Sequence, residues 1–291
     1  INCSNVFDAA SGFGGYRESG YGREGGKEGL YEYVKFRAES EFKNDAPKLK
    51  ITEPSSKKSD KTLPNIDRTP KLYIGGKQAR PDGGNSLTIK DMFGNHISEV
   101  PKGNRKDIRN AVEAAHTGTS WASMTGHGRA QVLYYIAEDL SARADEFASR
   151  IEQMTNVSPS DAAKEVQASI ERIYSYAAWA DKYDGHVHHT TQRNVTLAMP
   201  ERVGVLGIVC PDVSPLLGFV STVIPAIAMG NCVVVIPSET SPLSATDFYQ
   251  ILETSDVPAG CINIVTGGKD ELTKEMAKHD DIDGLWYFGS A

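Results

Sequence analysis

The stretch 201–242, ERVGVLGIVCPDVSPLLGFVSTVIPAIAMGNCVVVIPSETSP, decides the fold. An apolar run with glycine and β-branched residues, 203–210, stops at Pro211. A helix-length apolar run ends at Gly230, and a second strand-like run, 232–236, stops at Pro237. Strand, helix and strand within this span suit a right-handed parallel crossover. In a doubly wound sheet, the turns after the two strands are where a nucleotide is held.

The same alternation continues downstream: helix 243–254, strand 261–265, helix 270–279 and strand 285–288. Together with the opening pair this gives a βαβαβαβ series, hence an α/β fold with a Rossmann-like parallel sheet flanked by helices. Upstream, residues 71–101 suggest short hairpin strands broken by Gly-Gly and Phe-Gly-Asn turns. Apolar residues then recur at helical spacing over 106–120, 128–142, 144–155 and 160–183. His186, His188 and His189 precede a strand candidate at 194–199. With no acidic or Cys partner at ligand spacing, the cluster suits an exposed hairpin better than a metal site.

The remaining sequence divides by composition. Residues 1–36 are dense in glycine and end in a strand-like run, 31–36. FGGYRESGYG lacks the Lys-Ser/Thr of a P-loop, so tight turns explain its glycines better than a phosphate cradle. Residues 37–70, with KKSDK and little apolar periodicity, form a charged flexible linker, since they cannot bury enough surface to offset their ordering entropy.

Over the whole chain, 291 residues with a 40% hydrophobic share are enough to bury a sizeable core. A net charge of -7 argues against nucleic acid as a main partner, since that calls for a concentrated basic face. The longest apolar stretch, 215–229, is too short to span a membrane and contains Pro225. The pattern of a signal peptide is lacking, and because Ile1 is not an initiator Met the true N-terminus is expected upstream. Cys3, Cys210, Cys232 and Cys261 are far apart and mostly within apolar runs, which suits buried free thiols in the reducing cytoplasm.

Several stretches resemble the aldehyde dehydrogenase superfamily. Residues 1–36 are similar to the C-terminal end of one such module, through Phe13-Gly14-Gly15 and Gly22-Arg23-Glu24, and 71–291 to the cofactor-binding start of another. Tail, linker and head in that order resemble the tandem-module members of family sixteen. The resemblance therefore implies an internal fragment of a longer chain that oxidises an aldehyde with NAD or NADP through a Cys thiohemiacetal. It assigns Pro211, Pro237, Glu239, Gly267, Gly289 and Ser290 to cofactor binding, and Phe7 and Phe13 to the substrate tunnel of the preceding module. It implies no metal.

Two positions depart from the family pattern. The oxyanion Asn of the Pro-Trp-Asn-Phe-Pro turn is Val213, and loss of one such donor costs on the order of 2–4 kcal/mol of transition-state stabilisation. Asp212 in the same turn adds a negative charge, the wrong sign for an oxyanion site. The ribose-binding Lys of Lys-Pro-x-Glu is Ile236, and a lost hydrogen bond of roughly 1–3 kcal/mol weakens affinity about ten- to a hundred-fold. No Cys here has the context of the family nucleophile, which is expected, with its Glu base, beyond Ala291. The fragment is accordingly expected to be inactive. The alternative is a non-catalytic pseudoenzyme module for assembly or partner binding. Self-association, through 31–36, would follow the family habit of pairing through the C-terminal strand.

Overall fold

The computed structural model describes residues 7–35, 70–191 and 194–289. Cys3, Phe36, Ser290 and all of the linker but Pro70 lie outside the described residues. The chain forms two compact units. One comprises Ile1–Leu49 with Tyr183–Glu201, the other Lys50–Lys182 with Arg202–Ala291.

The larger unit is built on a six-stranded sheet. Its order is Gly284–Tyr287, Val205–Val209, Cys232–Ile236, Ile262–Ile264, Leu72–Ile74, Lys77–Ala79. The first four strands run parallel, in the alternation expected from sequence. The sheet is mixed, however, because the hairpin Leu72–Ala79 joins it through an antiparallel pairing of Tyr73 with Ile264, with Lys77–Ala79 antiparallel to Leu72–Ile74 at the edge. A buried side chain explains why this hairpin joins the sheet: Asn263 accepts from Gly75 N at 2.9 Å and donates to Val233 O at 3.2 Å and Gly260 O at 2.8 Å. An amide with no access to water must keep such partners.

Helices flank the sheet. Arg105–Thr117 and Lys269–Ala277 pack together against its strands, while Gly126–Ala142, Ala144–Thr155, Pro159–Ala180, Pro215–Ala228 and Leu243–Thr254 form a second packed group. The crossover helix Pro215–Ala228 is nearly all apolar, and both of its ends are satisfied by other elements. Glu165 accepts from Leu216 N at 2.9 Å and Leu217 N at 3.2 Å, where no capping side chain is available from Ser214. At the other end Trp121 Nε1 donates to Ile227 O at 3.0 Å and Arg129 Nε to Ala228 O at 2.9 Å. An anion at the N-terminus and a cation at the C-terminus both complement the helix dipole. None of the described helices is long and apolar enough to cross a membrane.

In the smaller unit, short strands Phe13–Gly14 and Arg23–Glu24 pair antiparallel, followed by a helix, Gly26–Tyr31. The strand expected over 31–36 is not formed through residue 35. An extended segment is stable only beside a second strand that takes its hydrogen bonds, and no described strand pairs with it. The hairpin His186–His188 with Thr196–Ala198 completes the unit. Of the histidine cluster, His186 and His189 are exposed, whereas the His188 side chain is only 10% exposed and its Nε2 lies 3.2 Å from Glu28 Oε1. No group of three metal-ligating side chains occurs among the described residues.

Candidate nucleotide crevice

Strands Val205–Val209, Cys232–Ile236 and Ile262–Ile264 step across the sheet in one direction, and the next strand, Gly284–Tyr287, returns to the far side of the first. This reversal opens a crevice outside the carboxyl ends of the strands, the usual ligand position in an open α/β sheet. The structure brings Pro211, Pro237 and Gly267 to those ends, since each follows directly on a strand or within three residues of one. Gly289 lies there too, because Phe288 N donates to Val209 O at 3.0 Å.

The turn after the first strand is tight. Ser214 takes a left-handed conformation with φ 51° and ψ 70°, and Val213 is 57% exposed. A methyl on Gly218 would come within 2.7 Å of Pro211 Cγ, so glycine is what lets the helix pack under this turn. Val213 offers neither a donor nor a charge. Gly267 also has a packing role, for a Cβ there would meet Leu272 Cδ1 at 2.6 Å.

The polar groups of the crevice are bonded to one another. Asp212 Oδ1 accepts from Ser238 Oγ at 3.1 Å and Glu239 N at 2.8 Å, and Oδ2 accepts from Lys269 Nζ at 2.8 Å. Glu239 Oε2 accepts from Lys269 N at 2.8 Å, at the start of helix Lys269–Ala277. Lys269 thus links the ends of two crossovers, with a side chain only 6% exposed against 42% for Asp212. Burial raises the pKa of the Asp212 carboxyl, but the Lys269 ammonium, the Glu239 N–H and the Ser238 hydroxyl outweigh it and hold the group below its ordinary value. The negative charge at Asp212, unfavourable on sequence grounds, is therefore paired.

These residues fit a dinucleotide poorly. Ile236 is fully buried and apolar, so it offers no hydrogen-bonding group to a ribose. Glu239 has one oxygen engaged by the Lys269 amide. The Cys210 thiol, fully buried 3.5 Å from Thr222 Oγ1, is pushed up to about 12 by burial and is not a thiolate at neutral pH. Cys232 and Cys261 are likewise buried free thiols with raised pKa values. In the smaller unit Phe7 and Phe13 meet edge to face, 5.9 Å between ring centres, and both are more than half exposed.

Lys269, Ser238 and Glu165 escaped the reading of the sequence. A lysine opening a helix opposes the helix dipole, which is the signal that it needs an anion elsewhere. Glu165 lies one residue from the buried Val166 and three from Ala162, a carboxyl at the edge of an apolar stripe. The burial that raises its pKa outweighs the two amides that lower it.

A family profile described as "Aldehyde dehydrogenase family" matches residues 82–291. An aldehyde dehydrogenase of Agaricus bisporus is 34% identical over 227 residues, 75% of this chain and 45% of that protein. A hydroxyisobutyraldehyde dehydrogenase of Mycolicibacterium austroafricanum is 31% identical over 224 residues, 76% of this chain and 44% of its own length. Among solved structures, a point mutant of the aldehyde dehydrogenase of Bacillus cereus superposes with TM-score 0.72 at 26% identity, covering 75% of this chain and 45% of that one. The NAD-dependent aldehyde dehydrogenase of Sinorhizobium meliloti shares the fold, with TM-score 0.73 at 24% identity over 78% of this chain and 47% of its own. The chain thus spans less than half the length of the relatives it matches.

Proposed function

The chain belongs to the aldehyde dehydrogenase family, and from that premise we propose that it is part of an NAD(P)-dependent enzyme that oxidises an aldehyde to a carboxylic acid through a Cys thiohemiacetal. Residues 1–36 are the end of one module, 37–70 the charged linker and 71–291 the start of a second, as in the tandem members of family sixteen. Relatives that are a hydroxyisobutyraldehyde dehydrogenase and an NAD-dependent aldehyde dehydrogenase support aldehyde as the substrate class and a nicotinamide dinucleotide as the cofactor class.

Residues 71–291 are, on this reading, a scaffold with little remaining nucleotide affinity. The observation that carries it is the ring of hydrogen bonds among Asp212, Ser238, Glu239 and Lys269, which engages the crevice from within. A nucleotide would have to compete with a pair whose cation is almost wholly buried. Buried Ile236 and exposed Val213 favour the pseudoenzyme reading further, since the core is kept while the two positions that would do most have lost their polar groups.

The test is direct. The purified 291-residue chain should produce no NADH from a panel of aldehydes, followed at the nicotinamide absorbance, and calorimetric titration with NAD should show no saturation in the micromolar range. Turnover, or micromolar binding, refutes the proposal.

A further inference from the structure

Helices Arg105–Thr117 and Lys269–Ala277 pack together, and between the first turns of one and the end of the other lies a cavity of about 250 Å³ lined by Arg105, Ile108, Arg109, Glu275, Lys278 and His279. The volume falls below the roughly 300–1,000 Å³ of sites for drug-sized ligands, so whatever enters is small. Three cationic side chains, Arg105, Arg109 and Lys278, face one carboxylate there, in a chain whose net charge is -7.

The protein itself leaves these cations largely unused. Arg105 Nε lies 3.4 Å from Glu275 Oε2 and Arg109 Nε 3.4 Å from Glu113 Oε1, and neither guanidinium makes a hydrogen bond to a described residue. Arg143 and Arg150, by contrast, donate to Glu146 at 2.9 and 2.8 Å and to Asp247 at 2.6 Å. Arg105 also opens its helix, where a cation opposes the helix dipole. Its neighbour Lys106 is answered there by Asp82, whereas Arg105 has only the long contact with Glu275. Asp281 N donates to His279 Nδ1 at 3.3 Å, so the neutral ring carries its proton on Nε2 and that nitrogen is a donor.

We propose that this cavity binds a phosphate dianion, free or carried by a small organic molecule, with Arg105 and Arg109 as its forked donors, Lys278 as a point charge and His279 Nε2 as a neutral donor. A guanidinium offers two parallel N–H groups to phosphate oxygens, and such charge-assisted bonds are the strong ones. Glu275 competes with the ligand for Arg105, which favours a dianion over a singly charged carboxylate. The site is separate from the crevice, since Lys269 and Lys278 stand about 14 Å apart along the helix axis. It depends on neither the aldehyde nor the cofactor reading.

Titration of the intact 291-residue chain with inorganic phosphate at about pH 8, where phosphate is mostly dianionic, tests this by amide NMR shifts, with chloride at matched ionic strength as the control. The shifts should saturate in the low millimolar range and be confined to 105–113 and 274–281, with the amides of Asp212, Ser238 and Glu239 unmoved. Arg105→Gln combined with Arg109→Gln should weaken binding at least about ten-fold. Both side chains are more than half exposed, so their removal leaves the fold intact. Glu275→Gln removes the competing carboxylate and should tighten binding about three- to ten-fold. Glucose 6-phosphate separates the two sources: tighter binding than inorganic phosphate at the same amides assigns the rest of the cavity to an organic group, and equal binding assigns the site to phosphate itself. Shifts that do not saturate, that chloride reproduces or that the arginine variant leaves unchanged overturn the proposal. So does tighter binding of an oligoglutamate peptide, which would make this surface a protein contact.

Discussion

Asp212 and Lys269 form one ion pair whose two ends sit in different surroundings, and the difference predicts unequal costs for removing them. Lys269→Met keeps the length of the side chain and leaves Asp212, 42% exposed, with water, Ser238 Oγ and Glu239 N. The loss should be about 1 kcal/mol. Asp212→Asn instead leaves an ammonium, 6% exposed, with a neutral neighbour. Breaking a buried pair costs roughly 3–5 kcal/mol, and the half-exposed partner places this case at the low end, about 3 kcal/mol. The double variant removes the charge with its partner and should lose well under the sum of the two, with a coupling of about 2 kcal/mol. In a unit of this size each kcal/mol shifts Tm by roughly 2–4 °C, so Asp212→Asn should fall by about 6–12 °C and Lys269→Met by about 2–4 °C. Urea or thermal unfolding followed by tryptophan fluorescence suits the measurement, because Trp121 is fully buried in this unit and bonded to Ile227 O. The pH dependence adds a check of sign. The folded Asp212 pKa lies below the ordinary 3.8, so the pair contributes fully above that value and is lost as the pH falls through the folded one. Equal losses for the two single variants, or a double variant equal to their sum, would refute this account of the crevice.

Further outcomes follow from burial. Glu165→Ala should destabilise the larger unit by roughly 1–3 kcal/mol by stranding the amides of Leu216 and Leu217, while Glu165→Gln keeps an acceptor and loses less. Because burial holds the folded Glu165 carboxyl above 4.5, its contribution favours folding more at low pH and fades as the pH rises through the folded value, and Glu165→Gln should flatten that slope in a stability profile. In a Cys3→Ser background, Cys210, Cys232 and Cys261 should resist maleimide in the native chain and label fully in denaturant, as followed by mass spectrometry; rapid native labelling of Cys210 would contradict its burial.

How much of this was legible beforehand varies with the range of the interaction. The parallel crossovers were readable because their cause is local: runs such as Cys232–Ile236 are apolar at every position and stop at proline, which no strand interior accommodates. The strand expected over 31–36 failed for the converse reason, since a strand's stability lies in a neighbour that the segment itself does not specify. The site shows the same division. Val213 and Ile236 were readable as departures from the expected pattern because each is a single residue type at a fixed place beside a proline.

The ring around Lys269 was not visible, because it joins residues 27, 30 and 57 positions apart through side-chain geometry. Asn263 is similar: within CINIV it is an unremarked polar residue, and only its three hydrogen bonds show that it helps fasten the Leu72–Ala79 hairpin to the sheet. Sequence by itself determined the α/β alternation, the turns that close each strand and the family, all of which depend on patterns within a few tens of residues. Tertiary structure decided that the sheet is mixed and that the crevice is engaged by its own charges, because each depends on which groups distant in the chain meet.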